Sequence, residues 1–412
     1  MVKSDEAKFD YKKGAMMSKV FEVEIKKMMN QTVRWRRYFH QYPELSNEEY
    51  QTADYLEKVI QSMDANLTVE RPLPTTVTVC LKGKFPGKRI IFRADIDALP
   101  IEEQTDFSFK SVYQNRMHAC GHDGHMAMLL TVLQILLGYK EQLHGEILFV
   151  FQSAEEIGGA RELIKTSILD NVEAAYAVHL WPDAKVGKYQ LASGPIMAAG
   201  SWFHIEIIGL GGHAGRPHQA IDPINATLDM IQSIKAQINR KIDPLVPNVL
   251  SITYIQAGDA TNVIPDKLRF GGTIRTLDQR ALLDLHRIIN ETLQTYSTLY
   301  EFSYHSEFEI DHLKEGDAPS SPLVNDEKLV NELRGNLIRN YGNCVEKFVP
   351  TLAGEDFSFY SLKVPVSFAI VGAAPNKTYP LHHPKFDFDE NALEWGVRLF
   401  LTVAEGMIGR EN

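Results

Sequence analysis

Apolar residues recur at helical spacing over residues 18–42, where Phe21, Ile25, Met28, Met29 and Trp35 share one face and Pro43 ends the run. Ser46-Asn47-Glu48-Glu49 has the form of a capping box and predicts a second helix through Ile60. Strand patterns follow at 76–81 and 89–92, then a helix over 126–137 and a continuous apolar strand at 146–152. A helix near 159–166 and a strand at 174–179 complete an alternating order. That alternation predicts an α/β fold, a buried and mostly parallel sheet covered by helices.

Around residue 195 the texture changes. Residues 202–208 alternate Phe203, Ile205 and Ile207 with Trp202, His204 and Glu206, the mark of a half-buried antiparallel strand. A helix at 223–240, strands at 249–256 and 267–276, a helix at 278–298 and a strand at 301–310 give the order β-α-β-β-α-β of a ferredoxin-like α+β module. Beyond Gly316 the α/β texture resumes, with a helix at 326–341, a strand at 367–371 and a helix at 390–408. The expected organisation is one domain from 16–195 and 315–412, with a second, 196–314, inserted into it.

Composition narrows the class. A chain of 412 residues exceeds the size at which one core stops growing, which favours two domains. A net charge of -10 argues against nucleic acid or an anionic membrane as the partner. Three scattered cysteines, Cys80, Cys120 and Cys344, do not form a disulfide framework and suit a reducing compartment, so a cytoplasmic location is expected. No apolar run is long enough to span a bilayer. Residues 1–15 carry Lys3 and Lys8 without an apolar signal core and read as a polar tail.

The chemistry concentrates in His118-Ala119-Cys120-Gly121-His122-Asp123-Gly124-His125. Thiolate, imidazole and carboxylate are the ligands of divalent transition metals. An ordinary helix start with a buried cysteine and solvated histidines competes with that reading for Cys-x-His alone, and the density of the octet favours metal. A helix beginning here would lower the pKa of Cys120. Four further clusters fall after strand-like or loop segments: Asp95-Ile96-Asp97, Glu155-Glu156, His179-Leu180-Trp181 and Leu381-His382-His383-Pro384. Carboxyl ends of strands are where open α/β sheets gather ligands. Neighbouring side chains such as Glu155 and Glu156 point apart, so one can face a metal and the other a water. A metal brings the pKa of water towards ~7, and an adjacent carboxylate can take the proton and pass it to a leaving group.

These segments carry a resemblance. The chain resembles the N-acyl-amino-acid amidohydrolases, which include hippurate hydrolases, plant indole-acetyl-amino-acid hydrolases and N-acetyldiaminopimelate deacetylases, within the clan of co-catalytic metal aminoacylases and carboxypeptidases. The similarity runs from Arg34 to the end through His40-Gln41-Tyr42-Pro43-Glu44-Leu45-Ser46, the stretch from Arg93 to Pro100, the octet, Gln152-Ser153-Ala154-Glu155-Glu156, Gly211-Gly212-His213-Ala214-Gly215-Arg216-Pro217-His218, Asn262-Val263-Ile264-Pro265-Asp266 and Gly272-Thr273-Ile274-Arg275-Thr276. Relatives commonly have proline where this chain has Ser153, a backbone detail that touches no ligand.

The resemblance implies a bridging role for Cys120 between two divalent ions (Mn, Zn, Ni or Co), with His122, Glu156, His179 and His382 as the other metal ligands. Within the adjacent pair the pattern Leu-His-x-Pro-x-Phe selects His382 over His383. Glu155 is implied as the general base and Asp97 as the residue that orients a metal-binding imidazole. The inserted domain is implied to act as lid and dimerisation module, with His213 stabilising the oxyanion, often across a homodimer interface; its first strand and its helix 223–240 are expected to leave apolar surface for that contact. His213 could instead bind an anion locally. Asn262 and Arg275 are implied to contact the substrate, the planar fork of arginine suiting a carboxylate; a surface salt bridge is the other reading of Arg275.

The expected activity is therefore hydrolysis of the amide of an N-acyl amino acid or small dipeptide-like substrate. A deacetylase of the N-acetyldiaminopimelate type differs only in pocket residues. A non-catalytic metal-binding protein would have no need of Glu155, and no Gly-x-Ser-x-Gly elbow points to a serine hydrolase.

Overall fold

In a computed structural model the described residues are 3–408, with side chains described from Phe21 onward. Met1 and Val2, part of the stretch read as a tail, lie outside them. From Lys3 the backbone is already helical, so the first helix, Lys3–Gln41, begins well before the apolar periodicity does. The chain forms two compact units. The larger holds the chain through Gly194, Val324–Val349 and the part from Phe359 onward; the smaller holds Pro195–Leu323 and Pro350–Ser358.

The larger unit is built on an eight-stranded mixed sheet. Its order is Val69–Glu70, Val77–Lys82, His144–Gln152, Phe85–Asp95, Ala174–Trp181, Val366–Gly372, Tyr189–Gln190 and Val345–Glu346. The four central strands, from His144–Gln152 to Val366–Gly372, run parallel. Antiparallel pairs flank them where Val77–Lys82 meets His144–Gln152 and where Tyr189–Gln190 meets Val366–Gly372. The sheet is thus parallel at its centre and mixed at its margins. Val366–Gly372 is buried along its whole length and Ala174–Trp181 up to its last residue, which is why both read as unbroken apolar runs. The helices Lys3–Gln41, His122–Leu137 and Ala392–Glu405 pack on one another and cover this sheet. Thr32 and Thr131 join the first two through a 2.6 Å hydroxyl pair.

The second helix departs from expectation. It is Tyr50–Met63, starts after Glu49 rather than after Ser46, and receives no side-chain cap. The segment 159–166 condenses to a single helical turn, Ala160–Leu163. Among the described residues no helix is long and apolar enough to cross a membrane.

The smaller unit has a four-stranded antiparallel sheet in the order Asn248–Ala257, Lys267–Thr276, Ala199–Ile208, Ser303–Phe308, with helices Pro223–Lys241 and Gln279–Tyr300. In sequence order this is the 2-3-1-4 arrangement of a split β-α-β pair, the ferredoxin-like topology. Ala199–Ile208 buries every second residue, and Phe203, Ile205 and Ile207 pack in one core with Met230, Ile234 and Leu285. The helix Pro223–Lys241 spends its apolar face on that core; Leu228 is the large apolar side chain it leaves exposed. A two-stranded ribbon, Gly212–His213 with Val263–Ile264, completes the unit.

Candidate active site

In the larger unit the carboxyl ends of the parallel strands carry most of the side chains singled out from the sequence. Phe85–Asp95 leads to Asp97, His144–Gln152 leads to Glu155 and Glu156, and Ala174–Trp181 bears His179 near its end. The helix His122–Leu137 starts within the octet, and Gly121, at φ 92, is its N-cap. Only glycine adopts that conformation without strain, and it turns the chain from Cys120 into the first helical residue, His122. The loop after Val366–Gly372 supplies His382, which is in the left-handed region at φ 65 and whose N–H donates to the Ala119 carbonyl at 2.8 Å. Ala154, at φ 59, is strained in the same way directly before Glu155.

Potential ligand atoms converge in two groups that share Cys120: Cys120 with His122 and His179, and Cys120 with Glu156 and His382. Within each, the atoms lie within 4.8 Å of one another. Glu155 forms a further group of this kind with His122 and Glu156. Cys120 Sγ is 3.4 Å from His179 Nε2, and His382 Nε2 is 3.4 Å from Glu156 Oε1. The far nitrogens are committed. His179 Nδ1 donates to the Leu180 carbonyl at 2.8 Å, and His122 Nδ1 lies 2.9 Å from the Asp97 carbonyl and 3.2 Å from Asp97 Oδ1. Each ring therefore turns Nε2 into the cluster. His383 is spent locally, its Nδ1 accepting from the Lys385 N–H at 3.0 Å.

The donor set fits divalent cations. His122 Nε2 and Glu156 Oε1 are buried without a hydrogen bond, a costly condition that a cation would relieve. Burial, seconded by His125, holds His179 well below the ordinary imidazole range, so the ring is neutral, as a ligand must be. The expectation that a helix start would lower the Cys120 pKa is overturned. Burial and then Glu156 push the thiol well above its ordinary value, and His122 offsets this only in part. A divalent cation at this position would favour the thiolate that burial disfavours.

The three histidines of the octet take different places. Only His122 joins the convergent groups with Cys120. His125 lies near His122 and Asp95 but has both nitrogens engaged: Nδ1 is 2.6 Å from Asp95 Oδ1, and Nε2 accepts from the Leu180 N–H at 3.0 Å. Asp95 also accepts from Arg93 at 2.7 Å. Burial opposes its charge, and His122, His125 and Arg93 outweigh burial, so the carboxylate stays well below its ordinary pKa. Asp95 and His125 form a buried brace behind His179 that sequence reasoning had not assigned. His118 is buried with neither nitrogen bonded, and burial drops it to about 3, an uncharged ring outside the ligand groups.

Asp97 has more partners than the motif suggested. Its Oδ2 accepts from Ser46 Oγ at 2.7 Å and from the Glu156 N–H at 3.0 Å. The capping-box reading of Ser46 and Glu49 fails for this reason. Ser46 is turned to Asp97, and Glu49 Oε1 accepts from the Ala154 N–H at 2.8 Å.

In the smaller unit, His213 and Asn262 are adjacent and exposed on the ribbon. The Ala214 N–H donates to the Asn262 carbonyl at 3.1 Å, and His213 Nδ1 accepts from Gly215 N–H at 2.9 Å. Arg275 stands apart, on the strand position opposite Gly200. A Cβ at Gly200 would collide with its guanidinium, and one at Gly354 would lie 3.1 Å from Nη1, so two glycines make room for this side chain.

A sheet with potential metal ligands at its carboxyl ends, a cysteine shared by two convergent groups and a carboxylate pair has the arrangement of a co-catalytic metal hydrolase. The model of peptidase family M20/M25/M40 matches residues 91–406, and the chain belongs to that family. It is 40% identical over 291 residues to an N-acyl-L-amino acid amidohydrolase of Geobacillus stearothermophilus, covering 68% of this chain and 78% of the relative. An N-acetyl-L-cysteine deacetylase of Bacillus subtilis is 35% identical, with 90% of this chain and 86% of the relative covered. Among solved structures, the Bacillus subtilis YXEP protein, a dinuclear metal binding peptidase from the M20 family, superposes with a TM-score of 0.78 at 31% identity, covering 93% of this chain and 99% of that one.

Proposed function

We propose that this protein hydrolyses the amide bond of N-acyl amino acids with two divalent cations per subunit, drawn from Mn, Zn, Ni and Co. Cys120, His122, Glu156, His179 and His382 are assigned as the ligands. The observation that carries the reading is the pair of ligand groups sharing Cys120, with two buried, unbonded ligand atoms among them and Glu155 alongside. When bound, the cations supply Lewis acidity, lowering the pKa of water at the site towards about 7 and polarising the amide carbonyl.

The remaining work falls to side chains. Glu155 takes a proton from the attacking water as its oxygen bonds to the carbonyl carbon. It then delivers that proton to the amine nitrogen as the C–N bond breaks. Asp97 holds the His122 ring and, through the Glu156 N–H, the backbone between the two glutamates. His213 is assigned to stabilise the carbonyl oxygen from the second subunit of a homodimer, and Asn262 and Arg275 to bind substrate. For that dimer the edge strand Asn248–Ala257, with Val249 and Ile255 exposed, is a better candidate surface than the helix Pro223–Lys241. The three free thiols suit a cytoplasmic setting.

The test is a panel of N-acyl amino acids, from N-acetyl to N-benzoyl and indole-acetyl, assayed with each of the four cations after chelation. Cation-dependent release of the free amino acid is expected; activity confined to N-acetyl substrates would favour the deacetylase reading. Full activity in excess chelator, or none on any member of the panel, would refute the proposal. Light scattering at micromolar concentration tests the dimer, and a fully active monomer would remove His213 from its assigned role.

A further inference from the structure

We infer that Glu49, at the start of the second helix, is a positioning residue for the turn that carries Glu155 and Glu156. The inference rests on Glu155 being the general base. Glu49 is fully buried at 0% exposure, and its side chain makes no capping bond to the helix it precedes. Instead Oε1 reaches across 105 positions of sequence to the Ala154 N–H at 2.8 Å.

The turn needs outside support. Ala154 holds φ 59 and ψ 36, a left-handed conformation that brings the Cβ of an L-residue too close to the carbonyl oxygen that follows it. Its bonds within the turn run from Ile157 and Gly159 to the Ala154 carbonyl, at 3.3 and 2.7 Å, and do not use the N–H groups of Ser153, Ala154 and Glu156. Side chains from elsewhere take those donors: Thr76 Oγ1 for Ser153 at 3.3 Å, Glu49 for Ala154, and Asp97 for Glu156 at 3.0 Å. Asp97 is in turn held by Ser46 at 2.7 Å, so one short segment between the first two helices supports the turn at two points. Of these, Glu49 alone grips the strained residue next to Glu155. The bond to the Ala154 N–H requires an acceptor oxygen, which an uncharged amide also has, and burial, aided by Asp97, already raises the carboxyl to about 7, so full charge is not what holds the turn.

The experiment compares Glu49→Leu, Glu49→Asp and Glu49→Gln as manganese-loaded enzymes on an N-acyl amino acid the parent hydrolyses, with amide hydrogen exchange of residues 152–159 as a second readout. Glu49→Leu should lower kcat roughly 10–100-fold with KM within about threefold, because the general base is displaced while substrate contacts stay. Exchange in the turn should quicken at unchanged cation stoichiometry. Glu49→Asp, whose acceptor is withdrawn by one methylene, should show the same signs to a smaller degree and serves if the leucine variant does not fold. Glu49→Gln should recover kcat to within about threefold of the parent and restore slow exchange. Parent-like kcat and exchange in Glu49→Asp or Glu49→Leu would overturn the inference, and so would a Glu49→Gln variant as slow as Glu49→Leu. Glu155→Gln run alongside separates the two claims. If it stays active, the general-base assignment fails; if it is inactive while Glu49→Leu or Glu49→Asp is parent-like, the failure belongs to Glu49.

Discussion

Asp97→Asn removes a charge while keeping side-chain volume and the backbone carbonyl that faces His122 Nδ1 at 2.9 Å. In the parent, Oδ2 accepts from Ser46 Oγ and the Glu156 N–H at 2.7 and 3.0 Å, and Oδ1 lies 3.2 Å from His122 Nδ1. An asparagine has one oxygen for both sides. With that oxygen toward Ser46 and Glu156, its NH2 confronts the His122 N–H. Turned round, the NH2 confronts the Glu156 N–H, which cannot reorient. Either way a buried N–H is left without an acceptor, the new amide in the first case and that of Glu156 in the second, at about 1–3 kcal/mol, and bonds to a charged acceptor become bonds to a neutral one. Loss of such support for a ligand typically lowers cation affinity roughly 10–100-fold, or about 1.4–2.7 kcal/mol. Competition with a chromogenic chelator, starting from cation-free protein, measures it directly. Affinity within a factor of about two of the parent, with normal turnover, would refute the reasoning and leave the backbone carbonyl as the sole support of the His122 ring.

Glu155→Gln should keep its cation content and lose turnover by roughly 10²–10⁴-fold, read by metal analysis beside steady-state kinetics. Cys120→Ala should bind fewer than two cations, and chelation of the parent should expose this thiol to alkylation; normal content and activity would end its bridging role. Arg275→Lys keeps the charge but not the fork, so substrates with a free carboxylate should lose roughly 10–150-fold in kcat/KM, the equivalent of about 1.5–3 kcal/mol, while carboxamide analogues change little. Gly200→Ala should have the same selective effect by pushing the guanidinium aside; equal losses on acids and amides would assign Arg275 to the fold. His40 is fully buried and faces Asp123 at 2.8 Å and Glu103 at 3.2 Å, with Arg36 close by. Burial lowers its pKa, and the two carboxylates outweigh burial, so the net shift is upward from 6.5. The stabilisation it brings is complete below pH 6.5 and is lost as pH rises through the folded-state value. The stability gap between parent and His40→Gln in urea should accordingly narrow from pH 5.5 to 8.5, and a flat or widening gap would contradict this.

Elements whose burial follows a simple period could be read from the chain. Ala199–Ile208 alternates because one face meets helices, and Val366–Gly372 is unbroken because both faces are covered. The side chains that converge were legible too, since Cys120 and His122 are close in sequence and the carboxylates directly follow strands. The extension of the first helix to Lys3 was not, because that stretch lacks an apolar stripe to announce it. Nor was the reduction of the 159–166 helix to one turn, where apolar positions suggested a full helix.

The capping-box motif shows where local reading reaches its limit. Ser46 and Glu49 carry the right groups at the right spacing to close a helix end, and a local rule has no other donors or acceptors to weigh. In the folded chain each finds a stronger claim: Ser46 a buried carboxylate at Asp97, Glu49 an orphan N–H at Ala154. The helix start at Tyr50 can lose its cap to solvent for about 1 kcal/mol, whereas a buried donor or carboxylate left unpaired costs as much or more. The same competition explains His125, which looks like a ligand in the octet but is claimed on both sides by Asp95 and the Leu180 N–H. Residues of identical type, a few positions apart, are thus sorted into candidate ligand and brace by which buried group has no other partner, a quantity that exists only once the strands are in register.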